Sequence, residues 1–405
     1  MTNEIKNVPE LRFPEFNEQW EMKKLKYISS INPKLDSNFP SSFNYIDLES
    51  VNKGKINKTS EFTNENAPSR AQRVAQKGDV FFQTVRPYQQ NNFVFLGASI
   101  PTVVSTGYAQ IRSNINSSYI YNLLLTTTFL NKVLVNCTGS NYPAINSNDL
   151  SNILIMISTN KDEQKKIGDF FSKLDCQIEL EEEKLELLEQ QKKGYMQKIF
   201  SQQLGFKDEN GNEYPTWQSY KLGNLYKKGK AGGTPKSTES KYYNGEVPFL
   251  SISDITEQGK FIMNTEKSIT QEGVDNSTAW LVPVNSINYA MYASVGYLSI
   301  NKIEVATSQA IFNMVFEDNN LVEYIYYYLN HIRDKGILEK LVGTGTQSNL
   351  SASIMKRMYI KLPDYEEMVK ITDFLSKVDK LIEKQNQKID GLKERKKGFL
   401  QKMFV

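Results

Sequence analysis

Residues 162–200 and 366–404 align without a gap at an offset of 204, and 18 of the 39 pairs are identical. A chain that repeats itself is built from repeated supersecondary units, so this observation constrains the architecture before composition does. In the first copy Ile167, Phe171, Leu174, Ile178, Leu185, Leu188, Tyr195 and Ile199 follow alternating steps of four and three, with Glu181 and Lys192 as polar members. The second copy puts Ile371, Leu375, Val378, Ile382, Ile389, Leu392, Phe399 and Met403 on the same seam, with Gln385 and Lys396 at the two polar places. Such a heptad seam predicts two long helices that pair as a coiled coil, and matched polar breaks fix register at some cost in stability. Each would span roughly 55–60 Å at 1.5 Å per residue. The first copy holds seven basic and ten acidic residues, the second ten and seven. Opposite charge favours pairing of the copies with each other, although one exposed ion pair is worth only ~0–1 kcal/mol. Asp364, three residues before Glu367 and just after Pro363, offers a capping box for the second helix. Either segment alone would read as a solvated amphipathic helix or a homodimer zipper, and the internal repeat argues against that.

Upstream of each helix sits a segment of about 160 residues with its own strand and turn punctuation. The first opens with Trp20 and Leu25, the second with Trp217 and Leu222, the same Trp-x4-Leu step. Near their ends LSNILIMIS (150–158) and SIMKRMYIKLP (353–363) read as a last strand feeding the helix. The expected fold is α+β: α/β domains at 1–161 and 201–362, separated by long helices at 162–200 and 363–405 that form an antiparallel coiled coil. A second helix running back along the first would relate the two domain-helix halves by a pseudo-twofold axis, with the domains at opposite ends.

The 405 residues are 39% hydrophobic and 23% charged, and no apolar run approaches the ~18 residues of a membrane span. The N-terminal stretch shows no secretory signal, so the cytoplasm is the expected compartment. Cys137 and Cys176 have neither metal-ligand spacing nor disulfide density and are expected reduced and structural. The net charge of +3 neither demands nor excludes nucleic acid. Phosphate loops, dinucleotide fingerprints and the Ser elbow of hydrolases have no counterpart in the sequence. An Asn-Pro-Pro-Tyr-type loop for an adenine amino group is also missing, since Asn32-Pro33 continues into Lys34-Leu35. A nuclease reading of Asp364 with Glu394-Arg395-Lys396 fails on spacing, because the later residues sit on a coiled-coil helix. His331 reads as a partly exposed helix residue, and Tyr324, Tyr326, Tyr327 and Tyr328 as helix packing rather than a base-stacking platform. The chain is therefore expected to be non-catalytic, with no metal.

Two stretches concentrate basic and hydrogen-bonding side chains. Residues 70–90 carry Arg70, Arg73, Lys77, Gln83, Arg86, Tyr88, Gln89 and Gln90; residues 221–243 carry Lys221, Lys227, Lys228, Lys230, Thr234, Lys236 and Lys241 against one acid, Glu239. Lys and Arg neutralise phosphates, while Arg, Gln and Asn make bidentate bonds to base edges. GKAGGTP and GTGTQSN (343–349), the latter with Thr344, Thr346, Gln347 and Asn349, permit the close backbone approach a phosphate needs, and are also ordinary turn compositions.

LRFPEF (11–16) followed by Trp20, KGDVFFQTVRPY (77–88), GKAGGTPKS (229–237), GTGTQSNLS (343–351) and the two helix starts resemble, in that order, the specificity subunits of type I restriction-modification systems. Glu163-Gln164 fits the Glu-Gln-x-x-Ile start of that family; Glu367-Met368 departs from it at the second place. The resemblance spans nearly the whole chain. It implies two target-recognition domains, each reading one half of a bipartite, asymmetric site in double-stranded DNA, separated by one to two helical turns of about 34–36 Å. It also implies two docked modification (methyltransferase) subunits using S-adenosylmethionine, and two restriction subunits using ATP and Mg2+ where the system cleaves. No cofactor is implied for this chain. Helix faces near Lys192-Lys193-Gly194 and Lys396-Lys397-Gly398 are the candidate docking places, since a mid-helix glycine costs roughly 1 kcal/mol and calls for a packing reason. The rival readings are a stand-alone two-domain DNA-binding protein and a coiled-coil adaptor for other proteins. Salt dependence separates them, because phosphate contacts make affinity fall steeply with salt.

Overall fold

The computed structural model describes residues 7–35, 38–292, 294–337 and 350–405. The chain forms two compact units, one of Met1–Lys184 with Gln385–Val405 and one of Leu185–Lys384. The division runs through both long helices, Lys161–Phe200 and Tyr365–Met403. Each unit thus owns one α/β domain, the start of the helix that follows it and the far end of the other helix.

In the first unit the domain holds two four-stranded sheets. One orders the strands Ser60–Thr63, Ser42–Ile46, Thr102–Ser105 and Ala71–Val74, with a parallel pairing only at its centre. The other orders Ser29–Ile31, Tyr108–Ser113, Val80–Gln83 and Phe93–Val94, all antiparallel. Helices Ser117–Leu124 and Thr127–Val135 start on side-chain caps from Asn116 and Thr126. In the second unit a five-stranded sheet orders Lys228–Ala231, Ile311–Val315, Ile287–Ala290, Leu298–Asn301 and Phe261–Ile262. A three-stranded sheet orders Lys267–Ile269, Tyr243–Leu250 and Ala306–Thr307, and helix Asn319–Asp334 covers the core.

The Trp-x4-Leu step marks a strand in both units: Glu21–Lys24 pairs antiparallel with Leu154–Ile157, and Gln218–Lys221 with Tyr359–Leu362. The last strands are shorter than the apolar runs suggest, because Ser147–Asn152 and Ala352–Arg357 are helical turns ahead of them. Trp20 Nε1 donates to Glu163 Oε2 at 3.2 Å, and Trp217 Nε1 donates to Glu367 Oε2 at 2.9 Å. This corrects the expected capping box. Asp364 accepts from the Glu366 amide, but the Glu367 carboxylate turns inward to Trp217 and the Phe206 amide.

Within each unit the two helical segments run antiparallel. In the first, Lys396 pairs with Asp175 and Lys393 with Glu182, and Phe170 meets Phe399. In the second, Lys192 pairs with Asp379 and Tyr195 meets Phe374. The pairs Lys192–Asp379 and Lys396–Asp175 are one interaction used twice, since both partners differ by the repeat offset of 204. At the seam position between them Gln385 Nε2 donates to the Glu181 carbonyl and carboxylate at 2.8 and 2.7 Å. Ile167, Phe171, Ile178, Ile199, Ile371, Leu375, Val378, Gln385, Ile389, Leu392 and Met403 are buried. Leu174, Leu185, Leu188 and Ile382 are partly buried, and Tyr195 is partly exposed.

Each helix ends in a core. Phe404, just past the second helix, contacts Trp20, Tyr119 and Phe171 in the first unit. Phe200, at the end of the first helix, contacts Trp217, Tyr324, Tyr328 and His331 in the second. His331 is buried rather than partly exposed, because its helix turns that face onto Phe200; burial lowers its pKa to about 4. Tyr324, Tyr326 and Tyr327 are buried in the same core, as helix packing requires.

Candidate nucleic-acid interface

Loops at one end of each domain are stitched by matching backbone hydrogen bonds. In the first unit the Thr84 amide donates to Gly107 O at 3.0 Å and the Ile145 amide donates to Thr84 O at 3.1 Å. In the second the Met291 amide donates to Ala310 O at 2.8 Å and the Leu350 amide to Met291 O at 3.2 Å. The turn that follows Val80–Gln83 and the turn that follows Ile287–Ala290 are therefore anchored in the same way.

In the first unit these turns gather Arg86, Tyr88 and Gln89 with Tyr142. Arg86 donates its backbone N–H to Pro143 O, and its guanidinium lies 4.3 Å from the Tyr142 ring centre. Tyr88 is 51% exposed and Tyr142 is 62% exposed. Arg70 is exposed and its carbonyl accepts from the Thr106 amide, which places it beside the same turns. Gln83 is buried, and its amide is spent inside the loop on Val85 O and the Gln89 side chain. Gln90 donates to Leu125 O. Arg73 is half-buried, its Nε has no partner among the described residues, and burial lowers its pKa. Lys77 is exposed and lies along Gly97.

In the second unit Lys227, Lys228, Lys230, Thr234, Lys236 and Lys241 are all exposed. Lys227 pairs with Glu317 and Lys241 with Glu272, surface pairs worth ~0–1 kcal/mol that a phosphate can displace. Lys228 lies 3.9 Å from the Trp280 ring centre, and Lys230 donates to Thr278 O at 3.3 Å. The glycines of GKAGGTP serve the protein's own packing. A Cβ on Gly232 would fall 2.1 Å from Thr307 O, and one on Gly233 would fall 2.2 Å from Thr278 Oγ1. Thr344, Thr346, Gln347 and Asn349 lie outside the described residues.

Tyr142 and Trp280 are the residues that sequence reasoning missed. The signal for Tyr142 was present, since CTGSNYPAIN (137–146) holds the place before the last strand that GTGTQSN holds in the second half. Trp280 has no sequence signal; only the sheet brings it under Lys228. Cys137 and Cys176 are free thiols, the second exposed. Among the described residues no cluster of His, Cys, Asp or Glu could hold a metal ion, and no helix is long and apolar enough to cross a membrane.

Two α/β units that expose different basic surfaces, each followed by a long helix, define a two-part DNA-recognition protein. The family model of the type I restriction modification DNA specificity domain matches residues 4–190 and 214–394, and the chain belongs to this family. It is 23% identical over 386 residues to the type I restriction enzyme HindI specificity subunit of Haemophilus influenzae, covering 78% of this chain and 83% of that one. It is 30% identical over 167 residues to the MjaIX specificity subunit of Methanocaldococcus jannaschii, covering 40% of this chain and 39% of that relative. The fold matches the solved S subunit of a type I system from M. genitalium with a TM-score of 0.58 at 15% identity, over 98% of this chain and 99% of that one. It also matches a chain from a study of complex assembly and conformational transition of the type I R-M system, with a TM-score of 0.61 at 20% identity over 95% and 97%.

Proposed function

We propose that each unit reads one half of a bipartite, asymmetric DNA target through its loop end, and that the paired helices dock two modification subunits. The observation that carries this reading is that each unit exposes its own basic surface, Arg86 with Tyr88 and Tyr142 on the turn after Val80–Gln83 in one, and Lys228, Lys230 and Thr234 on and just past the edge strand Lys228–Ala231 in the other. Two different basic surfaces suit two different half-sites. Phosphate contacts from Arg70, Lys77, Lys236 and the lysines of the weak surface pairs would position the duplex, while Arg86 and polar side chains address base edges.

The helices support the docking half of the reading. A Cβ added at Gly194, Gly391 or Gly398 would meet nothing within 4 Å among the described residues, so contacts among these do not call for the helix glycines. Leu187 and Leu381 are exposed at 58% and 55%. A partner surface accounts for both. The partners would bring S-adenosylmethionine-dependent adenine methylation, and restriction subunits would bring ATP- and Mg2+-dependent cleavage.

The test is co-expression with the modification subunit of the same host and mapping of methylated adenines with and without this chain. A new two-part motif, altered in one half by exchange of residues 1–161 and in the other by exchange of 201–362, supports the reading. No chain-dependent methylation in a verified complex rejects it.

A further inference from the structure

The loop that carries Arg86 is held in an unfavourable backbone conformation with no glycine to relieve it. Arg86 has φ 54° and Gln90 has φ 52°, bracketing the helical turn Pro87–Gln89. A left-handed residue with a side chain costs roughly 1–2 kcal/mol and persists only where its surroundings over-determine it. Here they do. Buried Gln83 donates to Val85 O at 2.8 Å and to Gln89 Oε1 at 2.7 Å, and accepts from the Asn91 amide. Buried Asn92 accepts from the Gln83 amide at 2.8 Å, and Gln90 anchors to Leu125 O.

The three best-fixed arginines of this unit divide into two kinds. Arg12 forks onto Glu163, and Arg112 forks onto Asp79, so both serve the fold. Arg86 is fixed by a ring face instead, and among the described residues its guanidinium has no hydrogen-bond or ion-pair partner. A cation over a ring is oriented through its face, which leaves the N–H edge for a ligand. Packing alone would not need a strained backbone or a ring that is 62% exposed.

We propose that Arg86 is a specificity-determining residue that reads a guanine edge in the half-site of the first unit, with Tyr142 as the positioning residue that sets its guanidinium. The inference rests on the DNA-recognition reading and deepens it. The planar fork matches the paired acceptors O6 and N7 of guanine, which a lysine ammonium cannot match.

The experiment uses the complex with the modification subunit and methylation of a target library randomised at each position. Arg86→Lys keeps the charge, so it separates base reading from a phosphate contact. Discrimination at one base pair of one half-site is expected to fall roughly ten- to a hundredfold, with the other half-site unchanged. Tyr142→Ala is expected to relax the same position and Tyr142→Phe to leave it intact, with thermal melts confirming that the variants fold. An Arg86→Lys complex with wild-type discrimination everywhere, or one slowed uniformly across all sequences, overturns the inference while the bipartite reading stands. A wild-type complex without bipartite methylation removes both.

Discussion

Strand Val80–Gln83 in the first unit and strand Ile287–Ala290 in the second occupy the same place in their sheets, yet the rows of side chains that cross them differ in kind. In the first unit the row runs Gln110, Phe81, Phe93, with Phe81 and Phe93 stacked at 4.9 Å and Tyr108 against both. In the second it runs Lys230, Asn313, Asn288, Ser299, and the last three are fully buried. Asn313 reaches Thr307 Oγ1 and Asn288 reaches Asn301 Oδ1, but Asn313 Oδ1, Asn288 Oδ1 and Ser299 Oγ have no protein partner among the described residues. The indole latches differ in the same sense. Glu163 takes Trp20, a forked Arg12 and Ser158, whereas Glu367 takes Trp217 and a backbone amide. The repeat therefore preserves the order of the central strands and the attachment of domain to helix, while the interiors have diverged, one to stacked rings and the other to a polar row with unpartnered atoms.

The largest test of this comparison is on the two latches. Glu163→Ala strands a mostly buried guanidinium and an indole N–H together, and is expected to cost about 3–5 kcal/mol in urea unfolding. Glu367→Ala strands the Trp217 indole N–H and a weakly held backbone amide, but no charge, and is expected to cost about 1–3 kcal/mol. Equal costs would break the asymmetry. Phe404→Ala removes three ring contacts from the first core and is expected to cost about 3–5 kcal/mol. Hydrogen exchange should place that loss in the first unit; protection lost mainly in residues 201–362 would contradict the assignment of the helix end.

His331 titrates the second unit alone. Its folded-state pKa of about 4 lies below the unfolded value near 6.5, so the unfolded chain binds the proton first as pH falls. Stability from this group is complete above pH ~6.5 and is lost between there and pH ~4, by on the order of 1–3 kcal/mol. His331→Gln should flatten the melting temperature of the second unit across that window, and an unchanged slope would assign it to carboxylates. The smallest effect is expected from Ser299→Ala. Removing a buried hydroxyl without a protein partner should leave stability unchanged within about 0.5 kcal/mol or raise it. A clear loss would reveal an internal water bound to the polar row.

The sequence by itself determined the order of domain, helix, domain, helix and the seam of both helices. A seven-residue apolar period and a gapless repeat are local signals that survive without knowledge of the fold. Trp20, Trp217, Glu163 and Glu367 were also legible as matched landmarks, but their meeting was not, because each pair lies about 150 residues apart and only strand pairing closes the distance. The basic stretches were visible as composition. Which of their members face outward was decided by tertiary structure, which turned Gln83 into a brace, spent Gly232 and Gly233 on backbone contacts, and set Arg86 on Tyr142. Burial and partner choice depend on neighbours remote in the chain, and a sequence read as one line does not contain them.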